Sequence, residues 1–549
     1  MTTDEAQTST EQQWGRVLIC GGTDWPKLGR KDRGGSSGVE NGESENPDLL
    51  EPYLLRSLLN VKSVSIHTSC AGCHFVVIDI EGQAWLFGRN GFSALGVPDS
   101  EFISENAPRL VKATDLGAPK GTRFVHAACG RNHTLLVGSD GSVWAAGQNN
   151  LGQCGQHVSS EVSAFHTVSV NHGGKKEHVV QAAAGITFSL VLTKSGKVFA
   201  FGSAEKGQLG NGTTGERITT GNKTTFDIET TPVYVKELDG KHIVKIVSGQ
   251  QHSLALDSTG VVYGWGYNGY CRLGLGNQVD ALKPKVVPQF AGPNEATMAM
   301  DIVAGPSNSI VVDKQKMYWM AGKWKNSGEG SSGSPYSTFR YMQDIMACKV
   351  IIARSGGVTH WLVTPDDDGS PMTVCWGQNA NNGELGLGPE ERKSSSKPTR
   401  NSPLVGIHVF DIAAGQNTTL FLAKPNDKFS DMPRHPEDVN PPSLCVGCGK
   451  DHGEDDSPLE CDKCDSPWHL QCLDPPLDAV PDGEWFCPDC LDDPGAPVGA
   501  WAVKKDKPKA KAKAKRAPPA AEDEDNEGGA KRKAAPTARA APAPKKKKQ

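Results

Sequence analysis

The stretch VFAFGSAEKGQLG, residues 198–210, is the unit from which most of this 549-residue chain is built. An apolar run of strand type ends at Gly202, and Gly207, Leu209 and Gly210 follow at fixed offsets. The strand-ending glycine recurs at intervals of 55 to 67 residues, at Gly21, Gly88, Gly147, Gly202, Gly266, Gly322 and Gly377. Seven copies at such a period predict a repeat architecture.

Each copy has a second signature upstream, as in HAACGRNHTLLV around Gly130 and His133. Four short strands separated by glycine turns predict the blade of a β-propeller. The competing architecture is a solenoid, which gives no reason for the chain to end within a unit. Because the first copy lacks its upstream half and residues 410–422 supply a lone half, we predict that the two halves complete one blade and close a ring of seven.

These repeats resemble the regulator of chromosome condensation family. The resemblance rests on VLICGGTDWPKLGRK, ACGRNHTLL, YGWGYNGYCRLG, and NNGELGLG followed by KSSS, and it covers about residues 15–424. It implies an all-β fold with a seven-bladed β-propeller. The sixth copy, MYWMAGKWKNSGEG, lacks the Gly-Gln-Leu-Gly ending, so an irregular blade is expected there. Residues 211–232 are expected to form an elaborated loop.

A second and unrelated pattern lies near the C-terminus. Seven of the fifteen cysteines fall between Cys445 and Cys490, in a chain that shows no secretion signal, so the cluster indicates metal ligands rather than disulfides. The predicted ligands are Cys445, Cys448, Cys461, Cys464, His469, Cys472, Cys487 and Cys490. Eight such donors predict two closed tetrahedral Zn²⁺ sites of the structural type. In a segment this short, the metals should supply most of the folding free energy.

The ligand order, and Trp485 two residues before Cys487, resemble a PHD finger, whereas a RING finger has its histidine earlier in the series. The resemblance implies that the two zinc sites are interleaved. Cys445, Cys448, His469 and Cys472 then form one site, and Cys461, Cys464, Cys487 and Cys490 form the other. The additional histidine, His452, is expected to be a loop residue.

The segments PLECDKCD and LDPPLDAVP-x-GEW resemble the PHD fingers that bind the unmodified N-terminus of histone H3. By that resemblance Asp462 and Asp465 hold an arginine of the tail, and the turn 481–484 holds its free amine through backbone carbonyls. Leu459 and Glu460 then pair with the peptide as a strand. The candidate contact residues are Leu459, Glu460, Asp462, Asp465, Pro481, Asp482, Gly483 and Glu484.

The acidic character of the finger favours an unmethylated lysine. A reader of trimethyl-lysine needs an aromatic cage, and apart from the imidazole of His452 no aromatic ring lies between Cys445 and Cys464. Glu454, Asp455 and Asp456 instead provide carboxylates that suit an ammonium group. The sequence therefore predicts a site for an unmethylated tail.

The net charge of −5 conceals two segments of opposite charge. Residues 443–492 hold 13 acids and 2 lysines, which favours a basic peptide partner. Residues 504–549 hold 16 bases and 6 acids, a composition that predicts disorder, DNA contacts through phosphates and a nuclear location. The expected organisation is a disordered N-terminus (1–14), the propeller (15–424), a linker (425–442), the finger (443–492) and a disordered basic tail (493–549).

Two functions remain open at this point. The first is a chromatin-associated adaptor, in which the finger binds histone H3, the tail binds nucleosomal DNA and the propeller presents interaction surfaces. The alternative, implied by the family resemblance, is an exchange factor or regulator of a small GTPase acting through a propeller face in chromosome segregation.

An enzyme with catalytic residues of its own is not expected. The sequence contains no Walker loop, HExxH or GxSxG motif. His133 and His252 recur at equivalent repeat positions, which favours packing, and the acidic turn 366–368 has no apparent partner. No run of about 18 apolar residues suggests a membrane span.

Overall fold

The structure is a computed structural model and describes residues 12–29, 46–451, 453 and 458–498. Four residues singled out above, His452, Glu454, Asp455 and Asp456, lie outside the described residues. Most of the N-terminal segment and the basic tail beyond residue 498, both expected to be disordered, also lie outside them.

Seven sheets form the blades of a closed all-β propeller, which confirms the predicted fold. Five of them have four strands, and those of blades 1 and 2 have a fifth. Blade 2 consists of Ser63–His67, His74–Asp79, Ala84–Arg89 and an outer edge split into Phe102–Ile103 and Arg109–Val111. Blade 3 consists of Phe124–Cys129, His133–Gly138, Val143–Gln148 and Glu161–Thr167. Blade 4 consists of Val179–Ala184, Phe188–Thr193, Val198–Ser203 and Ile228–Tyr234. Blade 5 consists of Ile243–Ser248, His252–Asp257, Val262–Gly266 and Ala281–Val286. Blade 6 consists of Ala299–Ala304, Asn308–Asp313, Tyr318–Gly322 and Tyr336–Tyr341. Blade 7 consists of Ile352–Gly356, Thr359–Pro365, Pro371–Gly377 and Ser395–Arg400.

Blade 1 closes the ring as the sequence predicted. Its two inner strands, Val409–Ala414 and Thr418–Ala423, come from the end of the repeat region, and its two outer strands, Arg16–Gly22 and Asp48–Leu55, come from the beginning. The seam is an antiparallel ladder in which Leu18 pairs with Phe421. Closure joins chain segments about 400 residues apart, as the ladder's pairing of Arg16 with Ala423 shows.

The repeat stretch 198–210 shows why its residue types recur. Gly202 has φ +113°, and a Cβ at this position would lie 2.5 Å from the carbonyl oxygen of Thr187 on the neighbouring strand. Only glycine accepts both the positive φ and this close approach. Leu209 is fully buried between blades 4 and 5, where the Trp265 indole N–H donates to the Gln208 carbonyl over 2.9 Å.

Apolar clusters fill the spaces between blades, and blade 6 is regular despite its unusual sequence. The expected irregularity is confined to the loop after Gly322, which keeps φ +97°. There Trp324 packs, partly buried, against the cluster shared with blade 7. The elaborated loop expected at 211–232 contains a hairpin, Arg217–Thr219 with Lys223–Thr225, and the start of the outer strand of blade 4.

Short helices and hairpins occupy the connections. Among the described residues, the 3-10 helices are Arg56–Leu58, Gly91–Ser93, Ala113–Leu116, Lys236–Leu238, Gly269–Cys271, Pro288–Phe290, Glu295–Thr297, Gln343–Ile345, Ser402–Leu404, Asp427–Asp431 and, in the finger, Leu470–Cys472. A small hairpin pairs Asn171–His172 with Lys175–Lys176. No helix in the described part of the chain is long and apolar enough to cross a membrane.

The segment expected to be a linker is held against the propeller. Its strand Arg434–His435 pairs in parallel with the outer strand of blade 1 and forms a fifth strand there. The His435 ring lies 2.7 Å from the buried carboxylate of Glu105, which also accepts from the Trp25 indole over 2.6 Å. Beyond it, the finger contains the short pair Leu459–Glu460 with Pro467–Trp468 and the helix Pro488–Asp492.

Candidate zinc sites and peptide-binding face

Two groups of four donors lie in the finger, and each fits one Zn²⁺. The groups are Cys445, Cys448, His469 and Cys472, and Cys461, Cys464, Cys487 and Cys490. Within each group the donor atoms all lie within 4.8 Å of one another. A tetrahedral zinc with Zn–S bonds of about 2.3 Å separates its sulfurs by about 3.8 Å, and Cys464 Sγ lies 3.8 Å from Cys487 Sγ. The structure thus has the two interleaved zinc-binding clusters that the PHD resemblance implied.

Backbone amides support the zinc ligands. The amide of His469 donates to Cys445 Sγ over 3.3 Å, and the amide of Cys487 donates to Cys461 Sγ over 3.3 Å. His469 presents Nδ1 to its cluster, 3.4 Å from Cys448 Sγ. Such N–H donors stabilise thiolates, the form that binds metal.

Asp462 is the first predicted arginine-binding residue, and an arginine of this chain contacts it. Arg434 Nη2 donates to Asp462 Oδ1 over 2.6 Å, and Nη1 donates to the Asp462 carbonyl over 3.2 Å. The other carboxylate oxygen accepts from the Trp485 amide over 2.6 Å. Asp462 thus ties the finger's own fold to the linker strand.

Asp465, the second predicted arginine-binding residue, is paired in the same way. Arg56 Nη1 donates to Asp465 Oδ1 over 2.7 Å. The guanidinium also donates to the Lys463 carbonyl over 3.4 Å and, through Nε, to the Pro436 carbonyl over 2.7 Å. Because the Arg56 side chain is only 7% exposed, this pair is well shielded from water.

The predicted amine-binding turn contacts the propeller at one end. Glu484 accepts from Arg16 through Nη2 over 2.7 Å and Nε over 3.0 Å, and the Arg16 guanidinium lies 5.6 Å from the Phe486 ring centroid. Asp482 and Gly483 are exposed, and Pro481 is half-buried. Leu459 is half-buried and Glu460 is exposed on the short strand of the finger.

The sequence did not predict which residues hold the finger against the propeller, namely Arg16, Arg56, Asn60 and Arg434 outside the finger and Lys463 within it. Lys463 is buried and donates to Asn60 Oδ1 over 3.0 Å and to the Pro494 carbonyl over 2.7 Å. Burial lowers the pKa of its ammonium group. The sequence feature that could have indicated the role of Lys463 is its position between two zinc ligands in a strongly acidic segment.

The recurring histidines of the propeller connect neighbouring blades. His133 Nε2 lies 2.9 Å from Ser189 Oγ of blade 4, and His252 Nε2 lies 3.1 Å from Ser309 Oγ of blade 6. Burial lowers the pKa of His133 to about 3 and that of His252 well below its usual range. Neutral, buried rings of this kind fit the packing role that their recurrence indicated.

The acidic turn 366–368 has partners that the sequence did not reveal. Asp366 Oδ2 accepts from Arg400 Nη2 over 2.5 Å, and Asp368 Oδ1 accepts from the Ser370 hydroxyl over 2.6 Å. The expectation of an isolated turn is therefore wrong. Local hydrogen bonds and one arginine account for both side chains.

Charges alternate along one side of the central channel, a cavity of about 310 Å³ lined by the inner strands of all seven blades. Lys245 contacts Asp301, and Arg354 Nη2 lies 2.6 Å from Asp411 Oδ1 and Nη1 4.0 Å from Asp301 Oδ2. Two cations and two anions from consecutive blades therefore balance one another. His67, on the inner strand of blade 2, also lines the channel, and burial lowers its pKa to about 4.

Family models match both parts of the chain. The model of the RCC1-like domain matches residues 15–421, and the model of the PHD-finger matches residues 445–490. Among curated relatives, the Protein RCC2 homolog of Xenopus laevis is 30% identical over 424 residues, which cover 75% of this chain and 78% of that protein. Protein RCC2 of Homo sapiens is 29% identical over 425 residues, with 75% and 76% covered.

Solved structures share the propeller fold. Yeast RCC1 (Prp20), solved bound to Kap60, is 20% identical with a TM-score of 0.59 and covers 76% of this chain and 91% of its own. Prp20p of Saccharomyces cerevisiae, described with its binding properties to Gsp1p and histones, is 19% identical with a TM-score of 0.57, covering 76% and 94%. Human WBSCR16 is 22% identical with a TM-score of 0.57, covering 75% and 99%. At these identities the likeness concerns the fold.

Proposed function

This chain belongs to the family of RCC1-like domain proteins and carries a PHD finger after its propeller, and from that premise we propose that it is a chromatin-associated adaptor whose finger binds the N-terminal tail of histone H3. The lysine of the bound tail is unmethylated in this proposal. The propeller serves as the interaction platform, and the basic tail, outside the described residues, contacts nucleosomal DNA in the nucleus.

The observation that carries the proposal is the chemistry of Asp462 and Asp465. Each carboxylate is already within 2.7 Å of a guanidinium nitrogen, from Arg434 and Arg56 respectively. Charge-assisted contacts of this length are among the stronger hydrogen bonds in proteins. The finger therefore has two positions whose geometry suits arginine or lysine side chains of a basic peptide.

The backbone around these carboxylates supports the same proposal. The strand Leu459–Glu460 pairs with Pro467–Trp468 in a two-stranded sheet, so within the described residues its other edge has no strand partner. An open edge accepts an extended peptide by β-augmentation. In the turn 481–484, Asp482 and Gly483 are exposed, and Gly483 has φ +84°, which leaves a tight turn accessible to a terminal amine.

A peptide titration with the full-length protein tests the proposal. The probes are histone H3 residues 1–20 in four forms: unmodified, trimethylated on the first lysine, acetylated on the N-terminal amine, and with the first arginine replaced by alanine. We expect the unmodified form to bind tightest, because each altered form removes a charge or a hydrogen-bond donor. Equal or tighter binding of the trimethylated peptide would contradict the proposal.

A matched pair of variants identifies the binding face. Asp462→Asn should weaken peptide binding, whereas Asp478→Asn, a neutralisation of the same kind at an exposed position of the finger, should change it little. Zinc content measured on both variants shows whether the finger is intact, because Asp462 also accepts from the Trp485 amide. Equal loss of binding in both variants would indicate non-specific attraction to the acidic finger.

The family match also favours a second candidate, a regulator or exchange factor of a small GTPase acting through a propeller face in chromosome segregation. Such a protein accelerates nucleotide release without a catalytic residue that forms bonds. The test is the release rate of a fluorescent guanine nucleotide from a panel of small GTPases, with and without the full-length protein. If the release rate stays unchanged for every GTPase while the finger binds the peptide, the exchange-factor candidate is rejected and the adaptor proposal is retained.

A further inference from the structure

The finger and the propeller share one set of charged groups, and this sharing limits access to the proposed peptide site. Three acidic residues of the finger face three arginines outside it: Asp462 with Arg434, Asp465 with Arg56, and Glu484 with Arg16. The first two acids are the residues proposed to hold cations of the peptide. In the closed form a guanidinium lies within 2.7 Å of each of these two carboxylates, so a peptide cation must displace the chain's own arginine or come close to a like charge.

We propose that the propeller is an intramolecular competitor for the ligand of the finger. Arg434 and Arg56 occupy the two carboxylates in the closed form, so a ligand binds only as the finger separates from blade 1. This inference rests on the proposed function, because it assumes that Asp462 and Asp465 belong to the peptide site. The ligand that fits is a segment presenting two cationic side chains, one for each carboxylate.

The polar character of the contact makes separation feasible. Besides the three ion pairs, the contact contains the Asn60 side-chain amide donating to the Cys490 carbonyl over 2.6 Å, and Lys463 donating to Asn60. Phe486 is the large apolar side chain of the finger that packs, partly buried, against a propeller cluster. Interfaces between domains that are held by polar contacts resemble transient protein interfaces.

The linker strand Arg434–His435 distinguishes the closed form from the form in which the finger has separated from blade 1. Arg434 lies on the strand Arg434–His435, and the Leu54 amide donates to the Pro433 carbonyl over 2.8 Å. The same strand that extends blade 1 therefore delivers the arginine to Asp462. The exchange of the Leu54 amide with solvent reports whether this linker segment is docked.

The test compares two double variants in the full-length protein. Arg56→Gln with Arg434→Gln removes both competing cations, and Arg217→Gln with Arg400→Gln removes two arginines whose partners, Asp227 and Asp366, lie within the propeller. The probe is the unmodified peptide of histone H3 residues 1–20, measured by fluorescence anisotropy at fixed salt. We expect the first double variant to bind roughly 5- to 150-fold tighter, the usual range of coupling between two sites, and the control double variant to match the wild type.

Two further measurements keep the test decisive. Because Arg56 is buried and its replacement could perturb blade 1, Asn60→Ala provides a milder opening that leaves every arginine and carboxylate in place and should also tighten binding. Hydrogen exchange at Leu54 and zinc content are measured on each variant. An unchanged peptide affinity in variants with faster exchange would overturn the proposal, and so would exchange that stays at the wild-type rate.

The outcome in which no form of the protein binds the peptide has a separate meaning. If the variants expose the linker to exchange, retain zinc and still bind nothing, then the proposed histone function fails and this inference fails with it. If the wild type binds the peptide and the opened variants bind equally well, then only the competition is wrong.

Discussion

Lys463 of the finger and Asn60 of the propeller are joined by a hydrogen bond of 3.0 Å between a buried ammonium group and a side-chain amide oxygen. The ammonium group also donates to the Pro494 carbonyl over 2.7 Å. Lys463 stands between the zinc ligands Cys461 and Cys464. The same short loop therefore holds a metal and fastens the finger to the propeller.

We expect Lys463→Met to weaken the finger–propeller contact, because methionine keeps the apolar length of the side chain but removes all three donors. Hydrogen bonds that involve a charged group contribute about 1.5–3 kcal/mol, so the free energy of opening should fall by about that amount. Native-state hydrogen exchange of the Leu54 amide measures it. Lys206→Met, in a propeller loop where Lys206 pairs with Glu205, is the control, and equal exchange in both variants would contradict the prediction.

Removing zinc should unfold the finger and leave the propeller intact. The wild type should hold two zinc ions per chain, and Cys487→Ala should lose at least one, because each site uses all four of its protein ligands. Cys348→Ala, at a half-buried cysteine of the propeller, should retain both. Metal analysis after dialysis checks the stoichiometry, and two zinc ions retained by Cys487→Ala would show that the assigned ligand set is wrong.

Gly202→Ala should destabilise blade 4. The substitution places a Cβ 2.5 Å from the Thr187 carbonyl oxygen at φ +113°, and the strain should cost at least about 2 kcal/mol. Gly333→Ala is the matched control, since a Cβ there meets nothing within 4 Å, and it should change stability by less than about 0.5 kcal/mol. Urea unfolding of the two variants gives the comparison, and similar midpoints would refute the packing argument.

The sequence was sufficient where information is local or periodic. The zinc ligands follow from pairs of cysteines with two residues between them, and ring closure follows from the unmatched halves at 15–22 and 410–422. The partners of the acidic residues were not predictable in this way. Arg56 lies 409 positions from Asp465, and an ion pair leaves no periodic pattern in the chain. Only the docking of the finger on blade 1 brings these charges together.

The ion pairs of Lys245, Asp301, Arg354 and Asp411 in the channel should contribute more to the free energy of unfolding than an exposed ion pair does. Asp301 lies between Lys245 and Arg354, so Asp301→Asn leaves Lys245 facing the channel without its carboxylate partner. We expect a loss of about 2 kcal/mol, below the cost for a fully buried pair because these side chains keep partial exposure. Asp227→Asn, whose partner Arg217 is 56% exposed, should cost less than about 1 kcal/mol. Equal costs by urea unfolding would contradict this ranking.

The buried histidines should make the propeller less stable in mild acid. Burial holds the pKa of His133 at about 3, whereas the unfolded chain protonates at about 6.5. The unfolded state therefore binds more protons below pH 6.5, so the contribution of His133 to stability is complete above that pH and is lost as the pH falls towards 3. At pH 5, about 1.5 units below the unfolded pKa, the loss from this one ring should be about 2 kcal/mol.

The variant His133→Phe isolates this effect, because it introduces the residue type found at the equivalent position of the next blade. Phe188 occupies the position in blade 4 that His133 occupies in blade 3, each opposite the strand-ending glycine. Between pH 7 and pH 5, the free energy of unfolding should fall by about 2 kcal/mol less in His133→Phe than in the wild type. This difference does not depend on the stability of the variant at pH 7. The exposed residue His166 supplies the control, and His166→Phe should follow the wild type. Acid loss of zinc affects all three proteins alike, so a pH dependence of His133→Phe equal to that of the wild type would show that His133 gains a proton without unfolding.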